Sequence, residues 1–250
     1  MRPGLWPVRW AAPSGVGAWM TTREGGSSTG PYAGFNLARH VGDAPAAVAA
    51  NRAALARTLA GELRLQWLDQ VHGTRVMRAS AATTADEPRA DAAWTDEPGV
   101  ACCVLVADCL PVLLAAANGR AVAAAHAGWR GLAGGVVEAA LAQVAQGAGC
   151  EPAQVLAWLG PCIGARRFEV GEDVVDAFGG GPRFVAQGWR DGRLRWLADL
   201  PGLAADRLRA AGVPVVSDGT ACTVEDASRF FSYRREGVTG RLAAGVWLRR

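Results

Sequence analysis

The sequence predicts an α/β or α+β fold in one domain spanning residues 1–250. Three observations carry this. Apolar runs of strand length and segments with helix boundary signals are interspersed along the whole chain, which indicates a mixed architecture. A composition of 50% hydrophobic and 20% charged residues over 250 positions suits a globular chain with a substantial core. No internal repeat, low-complexity linker or shift in composition divides it.

Taken in order, "GDAPAAVAANRAALARTLAG" (42–61) predicts the first helix, with Asp43 as N-cap, Pro45 near the first turn and Gly61 closing it. A second helix is expected after Gly131, ending at the glycines of 147–149. Shorter helices are expected at 172–178 and 203–212, the latter stopped by Gly212 ahead of Pro214. Strands are expected at 65–71, 100–107, 111–116, 120–125, 155–159, 213–217 and 242–248. On a strand, Cys102 and Cys103 would point to opposite faces.

The bulk numbers exclude several classes. A formal charge of +3, with scattered arginines and no basic run, gives nucleic acid no footprint. Every cation is arginine, which reads as compositional bias alongside the abundant Ala, Gly and Val. No window approaches the roughly 20 apolar residues of a membrane span. The N-terminal stretch is broken by Pro and Gly before a signal peptide could form, so a cytoplasmic protein is expected. Six cysteines at 102, 103, 109, 150, 162 and 222 are then expected to be reduced, with one or two reactive or metal-bound.

Three coordinating side chains each follow an apolar run: His72 after Val71, Cys109 after 100–108, and His126 after 120–125. Strand ends along one sheet edge would bring them together. Two imidazoles and a thiolate suit zinc, and three protein ligands leave a fourth position open, as in catalytic sites. Singly, each residue also reads as a packed core histidine or a small buried thiol. A second chemical reading pairs Cys109 as nucleophile with His126 as base and Asp108 as orienter. The stretch "HAGWRG" (126–131) reads as strand, glycine turn and helix. There the amides after Gly128, with the charge of Arg130, could hold an anion. Equally, Gly128 and Gly131 could merely permit the turn while Trp129 fills the core.

Taken together, several segments resemble one family. They are "TTREGGSSTGPYAGFNLARHVGD" (21–43), "NR" (51–52), "DQVHGTRV" (69–76), "ADCLPVLL" (107–114), "HAGWRG" (126–131), "LGPCIG" (159–164), "FEV" (168–170) and "CTVEDASRFFSYRREGVTGR" (222–241). Their order is that of the YfiH-like family, also called the multicopper polyphenol oxidoreductase or laccase-domain family, and regarded as purine nucleoside phosphorylases. The match weakens around 80–95 and 179–200, where loops are expected.

The resemblance implies mixed β-sheets flanked by helices, a fold similar to the catalytic domain of the cytotoxic necrotizing factors. It places the family's zinc ligands on His72, Cys109 and His126. It implies phosphorolysis of adenosine and inosine to free base and ribose 1-phosphate, with methylthioadenosine cleavage and adenosine deamination as further activities. Nucleoside and phosphate are then the partners, and neither nucleic acid nor membrane is expected. In that chemistry Arg130 and Gly128, or Arg23, would cradle phosphate. Asp108 would orient His126 or move a proton, and Asn36, Gln70, Phe230 and Tyr233 would touch substrate. The same residues also read as caps, loop anchors and core. The alternatives are a copper-dependent polyphenol oxidoreductase, a hydrolase editing peptidoglycan precursors through zinc or Cys109, and a non-catalytic metal-binding module. A multicopper enzyme needs a histidine-rich cluster, and only His40 remains beyond the two proposed ligands.

Overall fold

The alternation of small and branched residues in "VACCVLV" and "LPVLLAA" builds two central strands buried on both faces. The computed structural model describes residues 4–59, 63–84, 87–218 and 221–250. One sheet has the order β1 (Leu5–Trp6), β2 (Val16–Thr21), β14 (Leu242–Leu248), β6 (Val100–Val106) and β3 (Arg64–Gln66). The other runs β13 (Val215–Asp218), β9 (Val155–Leu159), β7 (Leu110–Ala116), β8 (Val122–Ala127), β5 (Ala92–Thr95) and β4 (Val76–Arg78). Both are mixed: β3–β6, β13–β9 and β4–β5 pair parallel, and the remaining pairs are antiparallel. A small third sheet, β10 (Glu169–Val170), β12 (Arg193–Ala198) and β11 (Phe184–Arg190), lies outside them.

The period-two alternation sorts side chains into layers. Cys102, Val104 and Val106 of β6 meet Leu113 and Ala115 of β7 and Ala124 of β8 between the sheets. Ala101, Cys103 and Leu105 face the other way, onto Leu55 of helix α1 (Pro45–Thr58) with Phe35 and Leu37. Leu110, Val112, Leu114, Ala123 and Ala125 pack on helices α3 (Val136–Ala148) and α5 (Leu200–Ala210). The result is helix, sheet, sheet, helix. The alanines of β8 leave little side chain between layers, so its neighbours on both faces can approach closely.

Several expectations shift. Ala44, not Asp43, precedes α1, and the Asp43 carboxylate accepts from Ser28 Oγ at 2.6 Å and Asn36 Nδ2 at 2.9 Å. Gly61 lies outside the described residues. The helix expected after Gly131 begins earlier, as α2 (Trp129–Gly134), and is broken from α3 by Gly135 at φ +101°, a conformation glycine adopts without steric cost. Asp199 caps α5 by accepting from Gly202 N at 3.0 Å, so that helix starts at Leu200 rather than 203.

The expected strand 65–71 is cut to Arg64–Gln66, because residues 67–71 leave the sheet to carry His72. The expected loops also hold structure: β5 lies within 80–95, and the β11–β12 hairpin within 179–200. Helices α4 (Glu172–Ala177) and α6 (Tyr233–Glu236) complete the chain. Among the described residues no helix is long and apolar enough to cross a membrane.

Candidate metal centre

The three coordinating side chains reach one place by three backbone routes. His126 belongs to β8 itself, paired with Pro111 and facing the gap between the sheets rather than following the strand end. Cys109 ends the β6–β7 connection, directly after Asp108 at φ +86°. His72 sits on the loop after β3 at φ +59°. Non-glycine residues held there cost about 1–3 kcal/mol each and persist only where their surroundings fix them. The ligand atoms of His72, Cys109 and His126 all lie within 4.8 Å of one another, and Cys109 Sγ is 3.7 Å from His72 Nε2.

The residue that organises this is Asp91, which the sequence reading missed. It stands just before β5 and is fully buried. Its Oδ1 accepts from His126 Nδ1 at 2.9 Å and from His72 N at 2.8 Å. Its Oδ2 accepts from Gly73 N at 2.7 Å and Val71 N at 3.2 Å. One carboxylate therefore sets the His72 loop and occupies Nδ1 of His126, leaving Nε2 of that ring for coordination. A signal existed in "RADAAWT", where one acid precedes an apolar strand. The segment lay in a stretch read as loop.

Electrostatics follow from burial and pairing. Burial alone would raise the Asp91 pKa, but the bonds from His126 and the loop amides hold it below the ordinary carboxylate value. Burial would also raise the Cys109 thiol, yet the charge and hydrogen bond of His126, with those of His72, bring it down. His126 goes up despite burial, because the Cys109 thiolate and Asp91 both favour its charged form. Both shifts favour the thiolate form of Cys109 and the charged form of His126 when no metal is bound. A divalent cation held there would favour the thiolate in the same sense. The donor set fits zinc or copper, held by His72, Cys109 and His126.

The other expected site residues are distributed differently. Asp108 does not touch His126; its carboxylate accepts from Thr223 Oγ1 at 2.6 Å, Ser232 Oγ at 3.0 Å and Arg234 N at 2.6 Å. It holds the Cys109 turn against α6, in place of the orienting role that Asp91 fills. Arg130 is exposed and lies 4.2 Å over the ring of its neighbour Trp129, outside the cavity wall. Arg23 is tied to Glu236 at 2.8 Å and lies over Phe231. Asn36 is buried and anchors backbone, accepting from Ala38 N and Arg241 N. Phe230 is a core residue against Trp6. Gln70 and Tyr233 do line the cavity, although the Gln70 side-chain amide donates to Leu105 O and accepts from Leu105 N.

Gly128 has a steric role. A Cβ there would stand 2.7 Å from His72 Cδ2 and 3.0 Å from Cys109 Sγ. Gly128→Ala is expected to push the ligands apart and cut metal affinity about tenfold or more while the fold survives, checked by metal content and circular dichroism. Wild-type occupancy in that variant would remove the steric argument.

Glu236 carries a separate pH dependence. Burial raises its pKa, but Thr239, Arg235 and Arg23 outweigh this and bring it from 4.5 to about 2. A depressed carboxylate contributes stability that is present above the unfolded value and is lost as pH falls through the folded one. Glu236→Gln is therefore expected to flatten the loss of stability between about pH 4.5 and 2, read by urea unfolding across that window.

The trio opens onto a cavity of about 410 Å³ lined by His40, Gln70, Leu105, Val106, Ala107, Tyr233 and Arg241 beside the ligands. That is a size suited to a small organic molecule. On the far side of Cys109 and Tyr233, a smaller apolar cleft of about 120 Å³ is walled by Trp129, Ile163, Phe168 and Leu200.

Known proteins share this whole arrangement of chain. A purine nucleoside phosphorylase of Pseudomonas aeruginosa is 47% identical over 241 residues, covering 96% of each chain. The Escherichia coli purine nucleoside phosphorylase YfiH is 43% identical over 242 residues, covering 96% of this chain and 97% of its own. A Neisseria meningitidis protein of solved structure superposes with a TM-score of 0.90 at 44% identity, covering 99% of this chain and all of that one. YlmD from Geobacillus stearothermophilus does so at 0.86 and 33%, covering 99% of this chain and 97% of that one. The family described as multi-copper polyphenol oxidoreductase laccase matches residues 17–249, and this chain belongs to that family, among its YfiH-like members.

Proposed function

We propose that the protein is a zinc-dependent purine nucleoside phosphorylase. It would cleave adenosine, inosine and methylthioadenosine with phosphate to free base and sugar 1-phosphate, with an accessory adenosine deaminase activity. The observation that carries this is the three-ligand centre, open on the side of a cavity of about 410 Å³. The names borne by its relatives give the substrate class. Six unpaired cysteines suit a reducing compartment, and we place the protein in the cytoplasm.

A bound zinc supplies Lewis acidity at the cavity floor. The chain supplies the rest. Asp91 fixes the His126 tautomer and the His72 loop, Gly128 leaves room for the ligands, and Tyr233 with Leu105 walls the nucleoside in. In phosphorolysis the bond from C1′ to the purine nitrogen breaks, a phosphate oxygen bonds C1′, and the departing base takes up a proton.

The test is to incubate the metal-loaded protein with adenosine, with and without phosphate, and separate the products. Adenine that appears only with phosphate, and disappears on chelation, is the expected result. Inosine formed without phosphate would assign the centre to deamination, and untouched adenosine would move precursor editing to the front.

One observation favours a second reading. Asp91, His126 and Cys109 form an acid–imidazole–thiol chain, so a cysteine hydrolase has its orienter after all. That reading expects activity to survive chelation. The copper-oxidase reading has less to build on. Of three histidines in the sequence, two are in the trio and His40 lines the cavity, too few for a multicopper cluster.

A further inference from the structure

The cavity that faces the metal centre carries a guanidinium whose hydrogen bonds reach no carboxylate; the negative charges that favour its charged form belong to Cys109, a ligand of the trio, and to Asp108, whose carboxylate is bonded elsewhere. Its wall contains no aspartate or glutamate among the described residues, and its one guanidinium is Arg241. Several other partly buried arginines have carboxylates: Arg23 and Arg235 share Glu236, and Arg52 meets Glu87 at 2.7 Å. Arg241 has carbonyls only, with Nη1 donating to Thr239 O at 2.9 Å and Gly240 O at 3.1 Å. Among the described residues its Nε and Nη2 donate to no acceptor, and its ring neighbour is Tyr233 at 5.8 Å. Arg241 is half-buried, and its unbonded N–H groups are not sealed from water, so they stand available to an oxyanion that enters the cavity.

The root of that side chain is fixed. Arg241 N donates to Asn36 Oδ1 at 2.8 Å, and Arg241 O accepts from Leu37 N at 3.2 Å. Asn36 is itself held by Asp43 and, through its carbonyl, by Asn51. A buried polar network therefore fixes the backbone from which the Arg241 side chain reaches the cavity wall. His40 lines the same wall, close enough for the Arg241 charge to act on it.

We infer that Arg241, assisted by His40, forms an oxyanion subsite that binds a phosphate group opposite the His72–Cys109–His126 centre. Two free N–H groups in a rigid fork match two oxygens of a tetrahedral oxyanion. The choice of phosphate rests on the phosphorolysis reading; the unused donors of Arg241 on the cavity wall do not. The phosphate could be inorganic, as a co-substrate, or the ester of a nucleotide. Arg130 and Arg23 drop out of that role because neither lines the cavity.

The test is equilibrium binding of inorganic phosphate and of adenosine 5′-monophosphate to the metal-loaded protein, by titration calorimetry. Arg241→Gln is expected to weaken binding about 10- to 100-fold with metal content unchanged, while Arg130→Gln leaves it at the wild-type value. If Arg241→Gln misfolds, Arg241→Lys serves instead, keeping charge without the fork, and weaker binding in a folded protein is expected. Binding of phosphate alone assigns the inorganic source, and binding of the monophosphate alone assigns the ester.

Unchanged affinity in the folded Arg241 variant overturns the inference, as does a wild-type protein that binds neither probe or a loss confined to Arg130→Gln. The two readings separate cleanly. Phosphate bound through Arg241 without adenosine cleavage sinks phosphorolysis and leaves the subsite. Phosphate-dependent cleavage with an unaltered KM for phosphate in Arg241→Gln does the reverse.

Discussion

Asp91→Ala is expected to destabilise the fold by about 3–5 kcal/mol and to abolish high-affinity metal binding together. The carboxylate is fully buried and accepts from three successive backbone amides, Val71, His72 and Gly73, besides the His126 ring. Alanine leaves the buried His126 Nδ1 unpaired, at about 1–3 kcal/mol, and frees the three part-buried loop amides at a smaller cost each. It also frees the imidazole to rotate or change tautomer. Asp91→Asn separates the two effects. It keeps the shape and one acceptor oxygen, but turns an amide NH₂ toward N–H groups. That variant is expected to fold with metal affinity reduced about 10–100-fold, read from urea unfolding and a competitive chelator titration. An Asp91→Asn protein that holds metal as tightly as wild type would show that Asp91 supports the loop and not the ligand.

His72→Ala is expected to empty the centre and lower nucleoside cleavage by about 10³-fold or more, with stability changed little. Its side chain is exposed to the cavity, so truncation leaves no buried void. This variant also decides between the two chemistries of the trio. A metal centre loses one of three ligands and its affinity collapses. An Asp91–His126–Cys109 dyad with orienter keeps every member, and its activity would persist. Metal content by mass spectrometry and turnover of adenosine, measured on the same sample, give the answer. Full occupancy in His72→Ala would remove His72 from the ligand set.

How far the site could be read in advance depended on the range of the interaction. His72, Cys109 and His126 stood out because each is the first coordinating group at or after an apolar run, and those runs are local patterns. Arg130 stood out for the same reason. A glycine turn before a helix suggests an anion site in any window, yet its side chain lies over Trp129 outside the cavity. Asp108 misled because adjacency to Cys109 in sequence is not adjacency to His126 in space. At φ +86° its backbone turns the carboxylate toward Thr223 and Ser232 instead.

The sequence alone therefore determined the mixed α/β class, the central strands expected at 100–107, 111–116 and 120–125 and found at 100–106, 110–116 and 122–127, and the three donors that accompany them. Apolar period, glycine breaks and caps act within a few residues, so a short window contains their cause. The tertiary structure alone decided which carboxylate meets His126, which arginine enters the cavity, and which glycine must stay bare. Asp91 and His126 are 35 positions apart and meet because β5 pairs with β8 in one register. Arg241 is aimed by Asn36 from the far end of the chain. Such contacts are fixed by sheet register and the closure of distant loops. Register is a property of the assembled pair of strands, which neither strand carries by itself.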